Sequence, residues 1–376
     1  MKKIVFLTGT RADFGKIKSL IEITLNSSNF EVHIFATGMH MRAKYGKTVD
    51  EIFKCGYPNI YQYINHHEYD SMDSILASTI DGFSNYIKEH TPDLILIHGD
   101  RVEAMAGAIV GALNNILVAH IEGGEVSGTI DELIRHAVSK LSHVHFVAND
   151  LAKKRLIQMG ECENSVFVIG SPDIDVMMSD NLPDIKHVKS HYDITFEEYA
   201  IVMFHPVTTE VDQISEQADN LVKALIKSGK KYVVVYPNND MGSDYILKSF
   251  KVLYSNPNFI IFPSIRFEYF IVLLKYTKFI IGNSSAGIRE APYYGIPTIN
   301  IGTRQNNRSS SKSIINTGYA DLDILEAINR TDSWTIAPSK EAFGAGKSDK
   351  LFLETLESND LWQISKQKLF KDLVNS

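Results

Sequence analysis

Cysteine is scarce in this chain of 376 residues: Cys55 and Cys162 are the only two, and no CxxC spacing exists. That excludes a disulfide framework and the common cysteine metal sites, leaving two ordinary thiols that pack as small hydrophobes. Long apolar runs are missing too. The stretch Phe270–Leu274 is interrupted by Lys275, too short to cross a bilayer. The start, MKKIVFLTGTRAD, has a basic pair but too short an apolar core for a signal peptide. The expected location is therefore the cytoplasm, with no membrane partner. There is no low-complexity tract and no excess of positive charge. A formal net charge of -7 argues against a nucleic-acid partner. It leaves room for a phosphorylated ligand, which needs only a few local cations and backbone N–H groups.

What is present is folded-protein composition, 44% hydrophobic and 22% charged, over a length that suits about two domains. Short β-rich runs alternate with helical patterns throughout. Strands are expected at Lys3–Leu7, Glu31–Ala36, Leu94–Ile97, Ile116–His120, His145–Ala148 and Val166–Ile169. The series restarts at Ala200–Phe204, Lys231–Tyr236, Asn258–Phe262, Lys278–Ile281 and Thr298–Ile301. Continuous apolar strands separated by helices indicate α/β lobes with parallel, doubly covered sheets. The expected division is a first Rossmann-like lobe at 1–172, a second at 173–360, and a C-terminal helix at 361–376 packing back on the first.

In such sheets ligands bind beyond the C-terminal ends of strands, so a cleft facing both lobes is the expected site. Chemically interesting residues do come directly after strands: Asp100-Arg101, Glu122, His205, Asn238-Asn239 and Asn283-Ser284-Ser285. The segment FIIGNSSAGIREAP reads strand, small-residue loop, helix. It would place Ser284 and Ser285 at a helix start, with Gly287 letting backbone approach a ligand. Unpaired N–H groups and the helix dipole there suit a diphosphate; a plain Ser cap is the bland alternative. Glu290, one turn on, could accept both hydroxyls of a ribose. The loop TGTRADFG lacks GxGxxG, so a dinucleotide cofactor is not expected. It places Arg11 at a strand-to-helix turn, where its guanidinium could fork a phosphate. Arg304, in GTRQNNR, is a second such anchor.

Asp100, Glu122 and Asp131 are the candidates for proton chemistry. The first two end strands expected to be neighbours, and Asp131 opens the helical run DELIRHAVSK. Closely spaced carboxylates shift one another's pKa values apart, as proton abstraction beside an anomeric centre requires. A helix-start charge that merely suits the dipole is the alternative for Asp131. His205 could contact phosphate or assist proton transfer, or be a packed strand-end histidine. His66-His67-Glu68 invites a metal reading, but adjacent side chains point apart, and no metal is expected.

TGTRADFGK, HGDR, HIEGGEVSGTIDELIRH, GSPDIDVM, FHPVTTE, FPSIRFEYF, GNSSAGIREAP and GTRQNNR together resemble the hydrolysing UDP-N-acetylglucosamine 2-epimerases of bacterial sialic acid biosynthesis. The likeness runs from about residue 4 to about residue 310. It implies a glycosyltransferase-B-like fold, an active site between the lobes, no metal or nicotinamide cofactor, and a homodimer or homotetramer. It also implies that Asp100, Glu122 and Asp131 are the catalytic acid/base residues, with His205 at the diphosphate. Arg11, Arg101, Ser284, Ser285 and Arg304 would hold phosphates or sugar, Asn238 would reach the ligand, and Glu290 would bind ribose. Backbone near Ile265, with Phe267 beside it, would cradle uracil. The implied reaction expels UDP after removal of the C2 proton and then hydrates the resulting 2-acetamidoglucal. A related branch takes UDP-2,4-diacetamido-2,4,6-trideoxyglucose, and HMRAKYG (His40–Gly46) could bound the pocket that tells the sugars apart. Two other classes fit less well: a glycosyltransferase of the same fold, and a non-catalytic UDP-sugar sensor.

Overall fold

The computed structural model describes every residue except 67–70, 306, 307, 309, 310, 335, 340–342, 370 and 373–376. His67 and Glu68 therefore lie outside the described residues. Among the described residues, no cluster of three His, Cys, Asp or Glu could hold a metal ion, and no helix is long and apolar enough to cross a membrane.

The chain forms two compact units. In the first, seven parallel strands are β1 (Lys2–Thr8), β2 (Phe30–Ala36), β3 (Ile60–Gln62), β4 (Leu94–His98), β5 (Leu117–Ile121), β6 (Val144–Val147) and β7 (Val166–Val168). Their order across the sheet is β3-β2-β1-β4-β5-β6-β7. In the second, six parallel strands are β8 (Ala200–Met203), β9 (Tyr232–Val235), β10 (Phe259–Phe262), β11 (Ile280–Gly282), β12 (Thr298–Ile301) and β13 (Ile314–Thr317). They run β10-β9-β8-β11-β12-β13. Each order reverses once, between β1 and β4 and between β8 and β11, and a crevice at the strand ends opens where it does. Central strands such as LILIH and LVAHI are buried along their whole length because helices cover both faces.

The expected strands are present to within a residue or two. The two that the sequence pattern missed, β3 and β13, are edge strands in which a single residue, Ile315, is buried. Without a continuous apolar run they read as loop.

The expected boundary at 172/173 is corrected to 179/180, and the described residues from Phe343 onward belong to the first unit. The reason is apolar burial. Phe352, Leu356 and Leu361 are fully buried in the first core, with Ile17, Leu20 and Ile21, and Trp362 stacks on Phe30 at 6.3 Å. Burying each such side chain stabilises by roughly 1.5–3 kcal/mol, enough together to fix where the segment lies. Entry is set by the helix Ser348–Glu357, whose start is capped by Asp175: its carboxylate accepts from the Ser348 N–H at 3.0 Å and the Asp349 N–H at 2.9 Å. The crossing needs glycine, since a Cβ on Gly344 (φ +115) would come within 2.8 Å of Gly170 Cα. The helix expected over 361–376 is also corrected. Helix occupies Asn359–Trp362 and stops, and no further helix occurs among the described residues beyond it.

Candidate active site

In the first unit the site is built from the segments at the C-terminal ends of β1, β4 and β5. β4 and β5 are hydrogen-bonded neighbours, with His98 in register with Ile121, so Asp100 and Glu122 leave adjacent strands. The Asp100 turn is pinned from both sides. Gly99 (φ +75) donates its N–H to Ile121 O at 3.0 Å, and its carbonyl accepts from His120 Nε2 at 2.8 Å. His120 is fully buried, which pushes its pKa down to about 3, so the neutral ring is the stable form.

Glu122 has φ +66, a left-handed conformation in which a non-glycine residue is strained. Its N–H is held by Phe146 O at 3.1 Å. The carboxylate is buried, accepts from Ser171 Oγ at 3.3 Å, and lies 3.4 Å from His98 Nε2 and 3.7 Å from Lys16 Nζ. Lys16 also reaches the buried Asp173 at 3.3 Å. Asp131 is in the first turn of the helix Ile130–Leu141. One turn on, that helix presents Arg135, buried and ion-paired to Asp100. Burial alone would lower the Arg135 pKa, but the combined field of Asp100, Glu125, Glu122 and Asp131 raises it. All three expected carboxylates thus act electrostatically on one guanidinium, with Asp100 paired to it directly.

Arg11 begins the helix Arg11–Leu25, which Thr10 and Asp13 cap reciprocally. Its fork is taken up by Glu51, with Nε donating at 2.8 Å and a second bond beside it. Arg101 stands at the N-cap position of the helix Val102–Leu113 without a side-chain cap hydrogen bond, its side chain one-fifth exposed. His40 of HMRAKYG is not pocket wall: it is fully buried between Thr8 Oγ1 (3.1 Å) and Thr48 Oγ1 (2.7 Å), and burial pushes its pKa down to about 4.

In the second unit the site residues again stand at strand ends, but their partners are mostly backbone. His205 is clamped by Asn283: its N–H donates to Asn283 Oδ1 at 2.7 Å and its carbonyl accepts from Asn283 Nδ2 at 2.9 Å. His205 Nδ1 accepts the Asn238 N–H at 3.0 Å, so a neutral ring carries its proton on Nε2 as a donor. Asn238 itself hydrogen-bonds Asp240 through its amide. Asn283 O accepts from Arg304 at 3.2 Å and from Gln305 at 2.8 Å, tying the loop after β12 to the loop after β11. Ile265 and Phe267, both buried, flank Arg266 at the start of the helix Phe267–Lys275. There the Arg266 N–H donates to Tyr192 Oη at 3.0 Å.

The expected helix after β11 is corrected to a 3-10 turn, Ser285–Gly287, and then a four-residue helix, Glu290–Tyr293. Pro292, without an N–H, and Gly295 (φ +69) keep it short. Ser284 does cap, accepting from the Ala286 N–H at 3.3 Å; Ser285 is half-buried and Glu290 buried. Gly287 is needed for internal packing, since a Cβ there would lie 2.5 Å from Thr298 Cγ2. The peptide Val126–Ile130, which leads into Asp131, groups with the second unit. Gly128 donates to Arg304 O at 3.0 Å, and a Cβ on it would lie 2.4 Å from Thr303 O.

Sequence reasoning missed Lys16, His98, Arg135, Ser171 and Asp173. Each sits inside a motif already singled out; His98, Ser171 and Asp173 stand at or just past a strand end, whereas Lys16 and Arg135 lie inside helices and carry no such signal.

Comparison with known proteins adds a consistent set of likenesses. Residues 23–357 match the family described as UDP-N-acetylglucosamine 2-epimerase. A "UDP-N-acetylglucosamine 2-epimerase" of Neisseria meningitidis serogroup B is 51% identical over 89% of this chain and 88% of that protein. A "UDP-N,N'-diacetylbacillosamine 2-epimerase (hydrolyzing)" of Legionella pneumophila is 35% identical over 88% and 90%. The "Polysialic acid biosynthesis protein P7" of Escherichia coli is 34% identical over 88% and 86%. Among solved structures, UDP-GlcNAc 2-epimerase of Methanocaldococcus jannaschii, in complex with UDP-GlcNAc and UDP, superposes with a TM-score of 0.81 at 22% identity. That match covers 95% of this chain and 99% of that one. The fold is thus the glycosyltransferase-B-like α/β fold of those enzymes.

Proposed function

This chain belongs to the UDP-N-acetylglucosamine 2-epimerase family, and on that premise we propose that it is the hydrolysing form, turning UDP-N-acetylglucosamine and water into UDP and N-acetylmannosamine for sialic acid synthesis. The observation that carries the proton chemistry is the gathering of Asp100, Glu122 and Asp131 around the buried Arg135. Three carboxylates beside one fixed cation can hold different protonation states, as a base and an acid must. The hydrolytic outcome draws support from the 35% identical relative named as hydrolyzing, and the sialic acid role from the 34% identical polysialic acid protein.

In this scheme one carboxylate of the trio removes the C2 proton while the C1–O bond to UDP breaks, leaving 2-acetamidoglucal. Water then adds its oxygen to C1 and gives up one proton to a carboxylate of the trio, while a second acid returns a proton to C2 from the opposite face. His205, donating from Nε2, together with Ser284, Ser285 and Arg304, stabilises the departing diphosphate. Arg101 holds phosphate or sugar, Arg11 does so on release of its fork from Glu51, Asn238 touches the ligand, Glu290 binds ribose, and the Ile265–Phe267 loop receives uracil. No step draws on a metal or a nicotinamide.

The test is incubation with UDP-N-acetylglucosamine in deuterated water. The expected products are UDP and N-acetylmannosamine with deuterium at C2; UDP release without C2 exchange sinks the proposal. UDP release only when an acceptor is present would make the protein a glycosyltransferase instead. A second reading, the 2,4-diacetamido sugar as substrate, is favoured by the Legionella pneumophila relative's name. Comparing initial rates on the two UDP-sugars decides between them.

A further inference from the structure

Glu103 stands one residue into the helix Val102–Leu113 and is 1% exposed. Neither carboxylate oxygen has a hydrogen-bond partner among the described residues. Such a group is costly to bury, because desolvation of a carboxylate is offset only by good partners. Nearby backbone donors are already committed: the Gly9 N–H goes to Asp13 Oδ2 at 2.9 Å, and the Gly38 N–H to Asn65 Oδ1 at 3.1 Å. Room for the side chain comes from those same glycines. A Cβ on Gly9 would lie 3.1 Å from Glu103 Cδ, and one on Gly38 2.6 Å from Oε1. The two glycines lie just past β1 and β2, so the carboxylate sits at the strand-end edge of the sheet, on the helix after β4. Helix-dipole attraction in the first turn accounts for only part of the cost.

The cation that approaches is Arg101, whose Nε lies 3.5 Å from Oε2, at ion-pair distance. Arg101 is the residue next to Asp100 on the strand-end turn. We propose that Glu103 is a positioning residue for Arg101: a buried fixed charge that holds the guanidinium in place to receive the nucleotide sugar. This rests on the reading of Arg101 as a substrate-holding residue. A counter-charge at 3.5 Å on one edge of the guanidinium orients it without fully neutralising it, so positive charge remains to attract a phosphorylated ligand.

The experiment is a double-mutant cycle on the full chain with UDP-N-acetylglucosamine, reading kcat and KM for parent, Glu103→Gln, Arg101→Ala and the double variant. Glu103→Gln keeps shape and volume. It is expected to raise KM about tenfold with kcat within about twofold, since it loosens binding common to ground and transition states. In the Arg101→Ala background the same change should move KM less than about twofold. A charge-retaining Glu103→Asp should fall nearer the parent than Glu103→Gln does. An undiminished Glu103→Gln effect in the Arg101→Ala background overturns the positioning role and leaves the Arg101 reading standing. A parental KM for Arg101→Ala removes that reading, and the proposal with it.

Discussion

The two units share a parallel strand-and-helix plan and place their candidate residues at the same strand ends, yet they furnish those ends with opposite chemistry. The first unit gathers charge: Asp100, Glu122, Asp131 and Asp173 among Lys16 and Arg135, mostly out of water. The second also buries charge at Arg289 and Glu290, but ties its loops with neutral groups: the Asn283 side-chain amide clamps the His205 backbone, and the Asn283 backbone carbonyl accepts from Arg304 and Gln305 in the loop after β12. A buried charge responds to its neighbours by shifting its proton affinity, whereas an amide does not titrate. The first arrangement suits moving protons, and the second suits holding a ligand still.

The largest expected effect breaks that division if it fails. Glu122→Gln should lower turnover roughly 10²- to 10⁴-fold, the usual range for a lost general acid or base. UDP affinity by calorimetry should change less than about threefold, and an equal loss of both would erase the distinction.

Next comes Glu161, another buried charge of the first unit, held by His145 at 3.0 Å, Lys140 at 2.8 Å and Lys368 at 2.6 Å. Burial acts to raise its pKa, but these partners outweigh that and hold it at about 2. A depressed carboxylate contributes stability that is complete above its unfolded pKa and is lost as pH falls through the folded value. Thermal melts should therefore weaken from about pH 4.5 down toward about pH 2. Glu161→Gln, stranding its cations, should cost about 3–5 kcal/mol at neutral pH and flatten that slope; an unchanged slope would assign it elsewhere.

Gly282→Ala probes the second unit, where φ is +135 and a Cβ would lie 1.9 Å from Met203 O. The expected cost is about 3 kcal/mol in urea unfolding, with little dependence on pH. Smallest is Asn283→Ala, which removes two hydrogen bonds to His205 and should cost about 1–3 kcal/mol, together with a measurable weakening of UDP binding. UDP affinity untouched by this change would mean that the clamp serves folding alone.

Legibility differed by the kind of interaction. Strands such as LILIH and LVAHI announce themselves because full burial on both faces demands uninterrupted apolar residues, and the acids after them stand out by contrast. β3 and β13 do not, because an edge strand relaxes that demand. Asp100, Glu122 and Asp131 were visible as strand-end and helix-start acids. Arg135 was not, because a helical arginine looks like surface until its neighbours are known. Nor does the sequence show that a side chain on Gly287 would meet Thr298. The return of Phe352, Leu356 and Leu361 to the first core was equally hidden, since an amphipathic helix does not specify which core it covers.

By itself, then, the order of residues determined the alternation of strand and helix, the parallel sheets, and which side chains stand at strand ends. These come from hydrophobic periodicity and local capping, which act over a few residues. Only the tertiary structure decided that Glu122 is held at φ +66 beside Lys16 and His98, that Arg135 is buried against Asp100 in the field of the other acids, and that the C-terminal segment closes the first unit. Those outcomes depend on charges and apolar faces meeting across tens to hundreds of residues, and such meetings are settled by packing rather than by sequence spacing.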